Sequence, residues 1–174
     1  MKPSAPRRAV IAFGANLGPR RATLERAVAM LEEELGPLTA RSAWIETEAL
    51  LHPEDEAVWH PPFLNGVAVF ETSLAPPAIL ARLQATERAL GRDRAAERRP
   101  WQPRRIDLDL IALDGLVRNG PDPVLPHPRM QERRFVLEPL VEIWPDWRHP
   151  VLGRSARELL AALESPDLHA DPAG

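Results

Sequence analysis

Hydrophobic positions along the chain repeat with two different periods, which predict alternating strands and helices. A continuous apolar run over residues 9–15 is typical of a buried central strand. Leu24, Val28 and Leu31 then recur at helical spacing. The same criteria predict strands at 9–15, 38–47, 63–72 and 104–113, and helices at 20–35, 76–90, 131–143 and 156–164.

The order of these elements predicts an α+β fold. Two helices on one face of a mostly antiparallel four-stranded sheet would satisfy it, as in a ferredoxin-like βαββαβ core. A C-terminal hairpin starting at 116–117 and short helices should follow, with Pro139 breaking or kinking the helix at 131–143. We expect a single domain over residues 1–164, with a loose leader at 1–8 and a disordered tail at 165–174.

The strand at 104–113 carries two carboxylates into an otherwise apolar sheet. Successive strand side chains point to opposite faces, so Asp107 and Asp109 share one face, with Cα atoms about 6.5 to 7 Å apart. Ile111 and Leu113 continue that face, which is therefore polar where the strand begins and apolar where it ends. The other face is wholly apolar and comprises Ile106, Leu108, Leu110 and Ala112.

Two acids at this spacing favour a bound hard cation. Like charges on a half-buried strand repel each other and lose solvation, and a cation between them relieves both effects. Mg²⁺ is commonly held by one or two carboxylates together with substrate phosphates, and two ions about 3.5 to 4 Å apart support phosphoryl transfer. The pattern leaves open a second interpretation, in which both acids pair with arginines such as Arg104 or Arg105.

A basic segment precedes the aspartate strand. Residues 88–105 contain seven arginines and two acids, in a chain whose net charge is −3. Arginine binds phosphate oxygens through paired hydrogen bonds, so arginines beside carboxylates suit a Mg²⁺-bound polyphosphate. The alternatives are a solvated charged surface and a nucleic-acid-binding patch with Trp101 interleaved.

Other side chains qualify as ligand contacts, each with a structural alternative. His127, between two prolines, could contact a phosphate or be a loop residue without a role. Asn65 shares a strand face with Phe63, and its amide could bind a ligand or satisfy the backbone. Phe63 could stack on a ligand or fill the core. Glu87 is more typical of an ion-pair partner of a nearby arginine than of a nucleotide contact.

Composition narrows the class of protein. At 174 residues, with 44% hydrophobic and 27% charged residues, the chain has the composition of an ordinary globular domain. It contains no cysteine, which excludes disulfides, thiol catalysis and Cys-ligated zinc. Its only lysine is Lys2, so arginine must supply phosphate-binding cations and a Walker-type loop is absent. We expect a cytoplasmic protein without membrane or nucleic-acid partners, since it has no apolar span and is acidic overall.

Four regions taken together resemble one enzyme family. They comprise residues 12–18, 62–67, 104–110, and 126–130 with 133–137. In this order, and over nearly the whole chain, they resemble 6-hydroxymethyl-7,8-dihydropterin pyrophosphokinase, a family of folate biosynthesis. The resemblance implies a single catalytic domain that transfers pyrophosphate from ATP, with Mg²⁺, to the pterin hydroxymethyl group and releases AMP.

The resemblance also implies roles for individual side chains. Asp107 and Asp109 match the family's two Mg²⁺ ligands, and Arg94 and Arg104 complete the expected catalytic set. The positions that match ATP contacts are Glu87, Arg92, Arg94, Arg104, Leu110, His127 and Arg133. The positions that match the pterin pocket are Thr47, Leu50, Phe63, Asn65, Trp101 and Phe135, of which Phe63 and Phe135 match the stacking pair. Small molecules are then the expected partners, and the chain is expected to act as a monomer.

The chain departs from the family pattern in its loops. Glu48-Ala49 stands where the family often has Pro-Pro, and the loop before Pro61 is longer than in compact members. The segment at 98–102 carries extra residues before Pro103, and Trp101 within it is the residue matched to the family's loop tryptophan. Two rival interpretations are a nucleic-acid-binding ferredoxin-like module that uses the arginine segment, and a relative that binds nucleotide without catalysing transfer.

Overall fold

The computed structural model describes residues 4–48, 61–93, 95, 97 and 104–164. Strands and helices account for most of this part of the chain. In order they are β1 (Arg7–Ala15), α1 (Arg20–Leu35), β2 (Leu38–Arg41), β3 (Ile45–Thr47), β4 (Phe63–Thr72), α2 (Pro76–Ala89), β5 (Asp107–Leu113), a 3-10 turn (Met130–Glu132), α3 (Arg134–Ile143) and α4 (Ala156–Glu164).

The helices form where the sequence provides an apolar stripe and end signals. Leu24, Val28 and Leu31 are buried along one side of α1, which confirms the first predicted helix. α4 begins with a reciprocal capping box. Ser155 Oγ accepts the backbone N–H of Glu158 at 3.1 Å, and the Glu158 carboxylate accepts the Ser155 N–H at 3.2 Å.

The described strands form one antiparallel sheet in the order β2-β4-β1-β5. β3 pairs with residues 63–65 at the start of β4, and β2 pairs with the later part of the same strand. β1 is therefore central and buried, as its continuous apolar run predicted. The predicted mixed fold with an antiparallel sheet is confirmed.

The sheet separates two apolar clusters. We call the face that bears Ile11 and Leu108 the closed face, and side chains of α1 and α2 pack on it. The face that bears Val10 and Val67 is the open face, and side chains of α3 and α4 pack on it. The apolar cluster of the open face does not reach the start of β5, where both aspartates lie.

A bulge in β5 changes the faces that we predicted for its last residues. The pairing of β1 with β5 skips Ile111. Ala112 therefore stays on the open face together with Ile111, and Leu113 turns to the closed face. The predicted faces of Ala112 and Leu113 are wrong, because strict alternation does not hold through a bulge. Asp107 and Asp109 precede the bulge and share the open face, as predicted.

The second predicted strand is divided into β2 and β3. At the break, the Ser42 N–H donates to Val67 O, and Ser42 Oγ accepts the Val67 N–H, both at 2.9 Å. The Ala43 N–H donates instead to the carboxylate of Glu142 on α3, at 3.0 Å. The prediction of one strand centred on residues 43–45 is wrong, because side-chain hydrogen bonds replace the strand pairing here.

The chain before β1 and after β5 also differs from expectation. Arg7 and Arg8 already pair with β4, so the predicted leader is too long by these two residues. α3 continues through Pro139, so of the two alternatives predicted there, the break is wrong. An isolated bridge between Arg118 and Leu125 lies where the hairpin was predicted, and the hairpin itself is not confirmed.

In the described part of the chain, no helix is long and apolar enough to cross a bilayer.

Candidate active site

A cavity of about 650 Å³ opens where the apolar packing of the open face ends. Side chains from β1, β3, β4, β5 and the start of α3 line it, so most of its wall belongs to regular elements. The predicted site residues that line it are Thr47, Phe63, Asn65, Arg104, Asp107, Asp109, Arg133 and Phe135. The fold therefore brings predicted phosphate and pterin positions to the same cavity.

The two aspartates lie beside the smallest residues of β1. Asp107 pairs with Gly14 and Asp109 with Ala12 in the antiparallel register. Neither neighbour has a side chain beyond Cβ, which leaves space next to the carboxylates. The side chains of Asp107 and Asp109 are 27% and 35% exposed, so both can contact a molecule in the cavity.

Two arginines hold Asp107. Arg92 Nη1 donates to Asp107 Oδ1 at 2.9 Å, and Arg104 Nη1 donates to Oδ2 at 3.4 Å. The buried Arg92 side chain also donates to Glu87, and its Nε donates to Glu97 at 2.6 Å. Burial works against its charged form, but the adjacent carboxylates, Glu97 first, raise the pKa of Arg92 above its ordinary value. The Arg92 guanidinium beside Asp107 therefore remains charged.

Glu87 is an internal link between α2 and β5. It is 1% exposed, and its carboxylate accepts the backbone N–H of Leu108 at 3.1 Å as well as the Arg92 guanidinium. Glu87 and Arg92 line a second cavity, of about 420 Å³, at the C-terminal end of α2. The ion-pair interpretation of Glu87 is thus observed, and its predicted contact with ATP stays a prediction.

The start of α3 places a cation and an aromatic ring opposite β5. Arg133 Nη1 lies 3.8 Å from Asp109 Oδ2, and its guanidinium carbon lies 5.7 Å from the ring centroid of Phe135. Both aspartates are thus paired with arginines, as one interpretation of the sequence proposed. Asp107 forms ion pairs with Arg92 and with Arg104, the latter named in that interpretation.

Asn65 is fixed at the wall formed by β1, β3 and β4. It is 5% exposed, and its Nδ2 donates to Thr47 Oγ1 at 2.5 Å. A Cβ atom added to Gly14 would lie 2.9 Å from Asn65 Oδ1 and 3.6 Å from a ring carbon of Phe63. A glycine at this position lets the amide oxygen and the ring pack closely against β1. The side-chain amide is therefore set in one orientation at the cavity.

His127 is neutral near pH 7. The backbone N–H of His127 donates to Ile111 O at 2.8 Å, and the ring Nδ1 accepts the backbone N–H of Arg129 at 3.2 Å. Burial first, and then the charge of Arg133, lower the pKa of His127 to about 4. Since Nδ1 accepts a hydrogen bond, the neutral ring carries its hydrogen on Nε2. His127 could therefore serve an anionic ligand as a hydrogen-bond donor rather than as a cation.

Not every predicted site residue belongs to the main cavity. Leu110 is 5% exposed and packs in the core of the closed face, so its contact with adenine stays a prediction. Leu50, Arg94 and Trp101 lie outside the described residues, as does the predicted tail at 165–174.

Sequence reasoning missed two residues that organise the site. Glu97 accepts two hydrogen bonds from Arg92, and Asn16 bonds to the backbone of both Arg104 and Pro61. Asn16 lies in the family-like region at 12–18, but the resemblance assigned it no role. A polar residue placed directly after a buried strand was the one available signal, since its partners are distant in the sequence.

The oxygen donors of the cavity suit a hard cation bound together with a ligand. Within the described residues, no group of three or more acidic or histidine side chains is arranged to hold a metal. Mg²⁺ ordinarily takes one or two carboxylates and completes its shell with phosphate oxygens and water. Asp107 and Asp109 fit that pattern, since both carboxylates line the same cavity.

Comparison with known proteins identifies the family. Residues 10–145 match the sequence model of 7,8-dihydro-6-hydroxymethylpterin-pyrophosphokinase (HPPK). The chain is 36% identical over 157 residues to the 2-amino-4-hydroxy-6-hydroxymethyldihydropteridine pyrophosphokinase of Synechocystis sp., covering 90% of this chain and 76% of that protein. The protein of the same name from Methylorubrum extorquens is 39% identical over 158 residues, covering 90% of this chain and 94% of that protein.

A solved structure supports the same fold. The wild-type HPPK-DHPS of Plasmodium falciparum matches 97% of this chain with a TM-score of 0.67 and 16% identity. This chain spans 47% of that one, so the likeness concerns one part of the larger protein and bears on the fold alone. The match to the family over residues 10–145, together with the two relatives, shows that the chain belongs to the 7,8-dihydro-6-hydroxymethylpterin-pyrophosphokinase family.

Proposed function

We propose that this chain uses ATP and Mg²⁺ to transfer pyrophosphate to 6-hydroxymethyl-7,8-dihydropterin in the main cavity. Membership of the family assigns the pyrophosphoryl transfer to the pterin and its place in folate synthesis. The observation that carries the residue roles is that one cavity contains two different walls. One wall, which we call the phosphate wall, is formed by Asp107, Asp109, Arg104 and Arg133. The other, the pterin wall, is formed by Phe63, Asn65 and Phe135.

The first wall suits the polyphosphate of ATP. Asp107 and Asp109 would hold Mg²⁺, which when bound neutralises phosphate oxygens and aligns them for in-line attack. Arg104 and Arg133 already lie 3.4 and 3.8 Å from these carboxylates, so each can reach a phosphate bound beside them. Arg104 Nε is buried without a hydrogen-bond partner in the described part of the chain and lies 4.0 Å from the Glu97 carboxylate, so Nη1, which already reaches Asp107, is the donor we assign to a phosphate oxygen.

The second wall suits a flat, polar heterocycle. Phe63 and Phe135 would stack on the two faces of the pterin, and the amide of Asn65 would pair with its polar edge. Thr47 fixes that amide, so little side-chain freedom is lost when the pterin binds. The hydroxymethyl oxygen of the pterin would then attack the β-phosphorus of ATP, and AMP would leave. Arg104 would stabilise the charge that develops on the transferred group.

The sheet order supports a finer description of the fold. We assign the core to the ferredoxin-like βαββαβ class, with β2 and β3 acting together as its second strand. The antiparallel order β2-β4-β1-β5 and the two helices on the closed face support this assignment.

A single set of incubations tests the proposed reaction. The protein with ATP, Mg²⁺ and 6-hydroxymethyl-dihydropterin should form AMP and the pterin diphosphate in equal amounts, and omission of any component should stop AMP formation. Tight ATP binding without AMP would instead support a non-catalytic relative. Formation of ADP would contradict pyrophosphoryl transfer.

A further inference from the structure

Asn16 hydrogen-bonds to two segments of the chain, one that leads to the phosphate wall of the cavity and one that leads to the pterin wall. It directly follows β1 and is 2% exposed. Its N–H donates to Arg104 O at 3.0 Å, and its Oδ1 accepts the Arg104 N–H at 2.7 Å. Its Nδ2 donates to Pro61 O at 3.0 Å. The backbone and both ends of the side-chain amide are thus engaged with chain that is distant in sequence.

The first segment leads into the phosphate wall. The two hydrogen bonds between Asn16 and Arg104 resemble those of a residue pair in adjacent strands, and they fix the backbone from which the Arg104 side chain extends. That side chain reaches Asp107 at 3.4 Å. The amide of Asn16 is buried, so water does not readily take its place. Removing the amide would therefore leave the Arg104 N–H without this acceptor.

The second segment leads into the pterin wall. Pro61 and Pro62 immediately precede Phe63, and a proline has no backbone N–H, so its carbonyl is the one backbone group that can anchor it. Asn16 holds the carbonyl of Pro61, and Arg20 Nη1 holds that of Pro62 at 2.7 Å. Two adjacent carbonyls are therefore fixed just before the ring that lines the cavity.

We propose that Asn16 is a positioning residue that sets Arg104 and Phe63 relative to each other. The inference rests on the proposed function, because it concerns the register between the phosphate and pterin walls of that site. The two ends of the amide act on different walls, since Oδ1 serves Arg104 and Nδ2 serves Pro61. Their effects should therefore be separable by substitution.

Two substitutions at Asn16 test this division. Asn16→Asp retains an acceptor for the Arg104 N–H but has no donor for Pro61 O, so the KM for the dihydropterin should rise about fivefold to tenfold while kcat changes less than about twofold. Asn16→Ala removes both contacts, so the same rise in KM should be joined by a fall in kcat of about tenfold. The matched control is Asn119→Ala, which removes an exposed amide and should change neither constant.

The measurements are made at a temperature at which circular dichroism shows every variant to be folded. If wild-type protein turns over but both Asn16 variants keep its constants, the positioning role is overturned and the proposed function stands. Equal losses of kcat in Asn16→Asp and Asn16→Ala would also overturn it. If the wild type forms no AMP, the proposed function fails and this inference fails with it. Should Asn16→Ala not fold, the division between KM and kcat in Asn16→Asp decides the question alone.

Discussion

The two faces of the sheet show how the same strands serve stability and chemistry. On the closed face, helices cover the strands, and Leu31 and Leu83 are fully buried among them. On the open face, the apolar cover contributed by α3 and α4 ends before the start of β5. Asp107, Leu108 and Asp109 are consecutive, yet the aspartates line the cavity and the leucine packs in the opposite core. The site lies where α3 and α4 no longer cover the open face.

The largest expected effect comes from the open face. Asp107→Asn and Asp109→Asn should each lower the rate of AMP formation by about a thousandfold or more, because an amide is a poor substitute for a carboxylate at Mg²⁺. Thermal unfolding should remain close to that of the wild type. The matched control is Asp114→Asn, at an aspartate outside the cavity that pairs with Arg8. Near-normal rates in either cavity variant would remove the proposed metal role.

The next effect comes from the residue between the aspartates. Leu108→Ala should lower the free energy of unfolding by about 2 to 5 kcal/mol, the usual cost of truncating a buried leucine. The KM values of the protein that remains folded should change little. Denaturant titration and steady-state kinetics on the same sample would measure both quantities. A large rise in KM without loss of stability would show that the two faces are not separate in function.

Arginines on the two sides of the sheet provide a third comparison. Arg104→Ala should lower kcat about a hundredfold with a smaller effect on stability, since its guanidinium reaches the phosphate wall. Arg94→Ala should act in the same direction. Arg82→Ala, which breaks an exposed ion pair with Glu34, should leave kcat unchanged and stability nearly so. Parallel losses of melting temperature and activity in Arg104→Ala would indicate a structural role instead.

The fourth effect concerns stability toward acid. The folded-state pKa of His127 is lowered to about 4, whereas an unperturbed histidine titrates near 6.5. The unfolded chain therefore binds a proton more readily between these values, so stability is fully present above about pH 6.5 and falls as the pH drops to about 4. His127→Gln should weaken this fall, measured by melting temperature across the range. Burial also lowers the pKa of His149, which would account for part of the remaining dependence of the melting temperature on pH. Identical slopes in wild type and variant would contradict the assignment to His127.

Local periodicity explains which features could be predicted from the sequence. The helix α1 and the shared face of Asp107 and Asp109 follow from side-chain spacing within a few residues. The bulge at Ile111 and the break at Ser42 depend instead on how one strand meets another, which no local pattern contains. Asn16 is the clearest case, because its amide bonds to a residue 88 positions away. Its chemistry was visible in the sequence, but its partner was not.

The central claim is that Asp107 and Asp109 hold the metal that carries the phosphates of ATP. A crystal structure with Mg²⁺ and a non-hydrolysable ATP analogue tests it most directly. We expect metal density within about 2.0 to 2.1 Å of oxygens from both carboxylates and from the phosphates, with Arg104 turned from Asp107 toward the phosphate chain. An analogue bound in the cavity, with both aspartates still paired to Arg92, Arg104 and Arg133 and no ion between them and the phosphates, would contradict the claim.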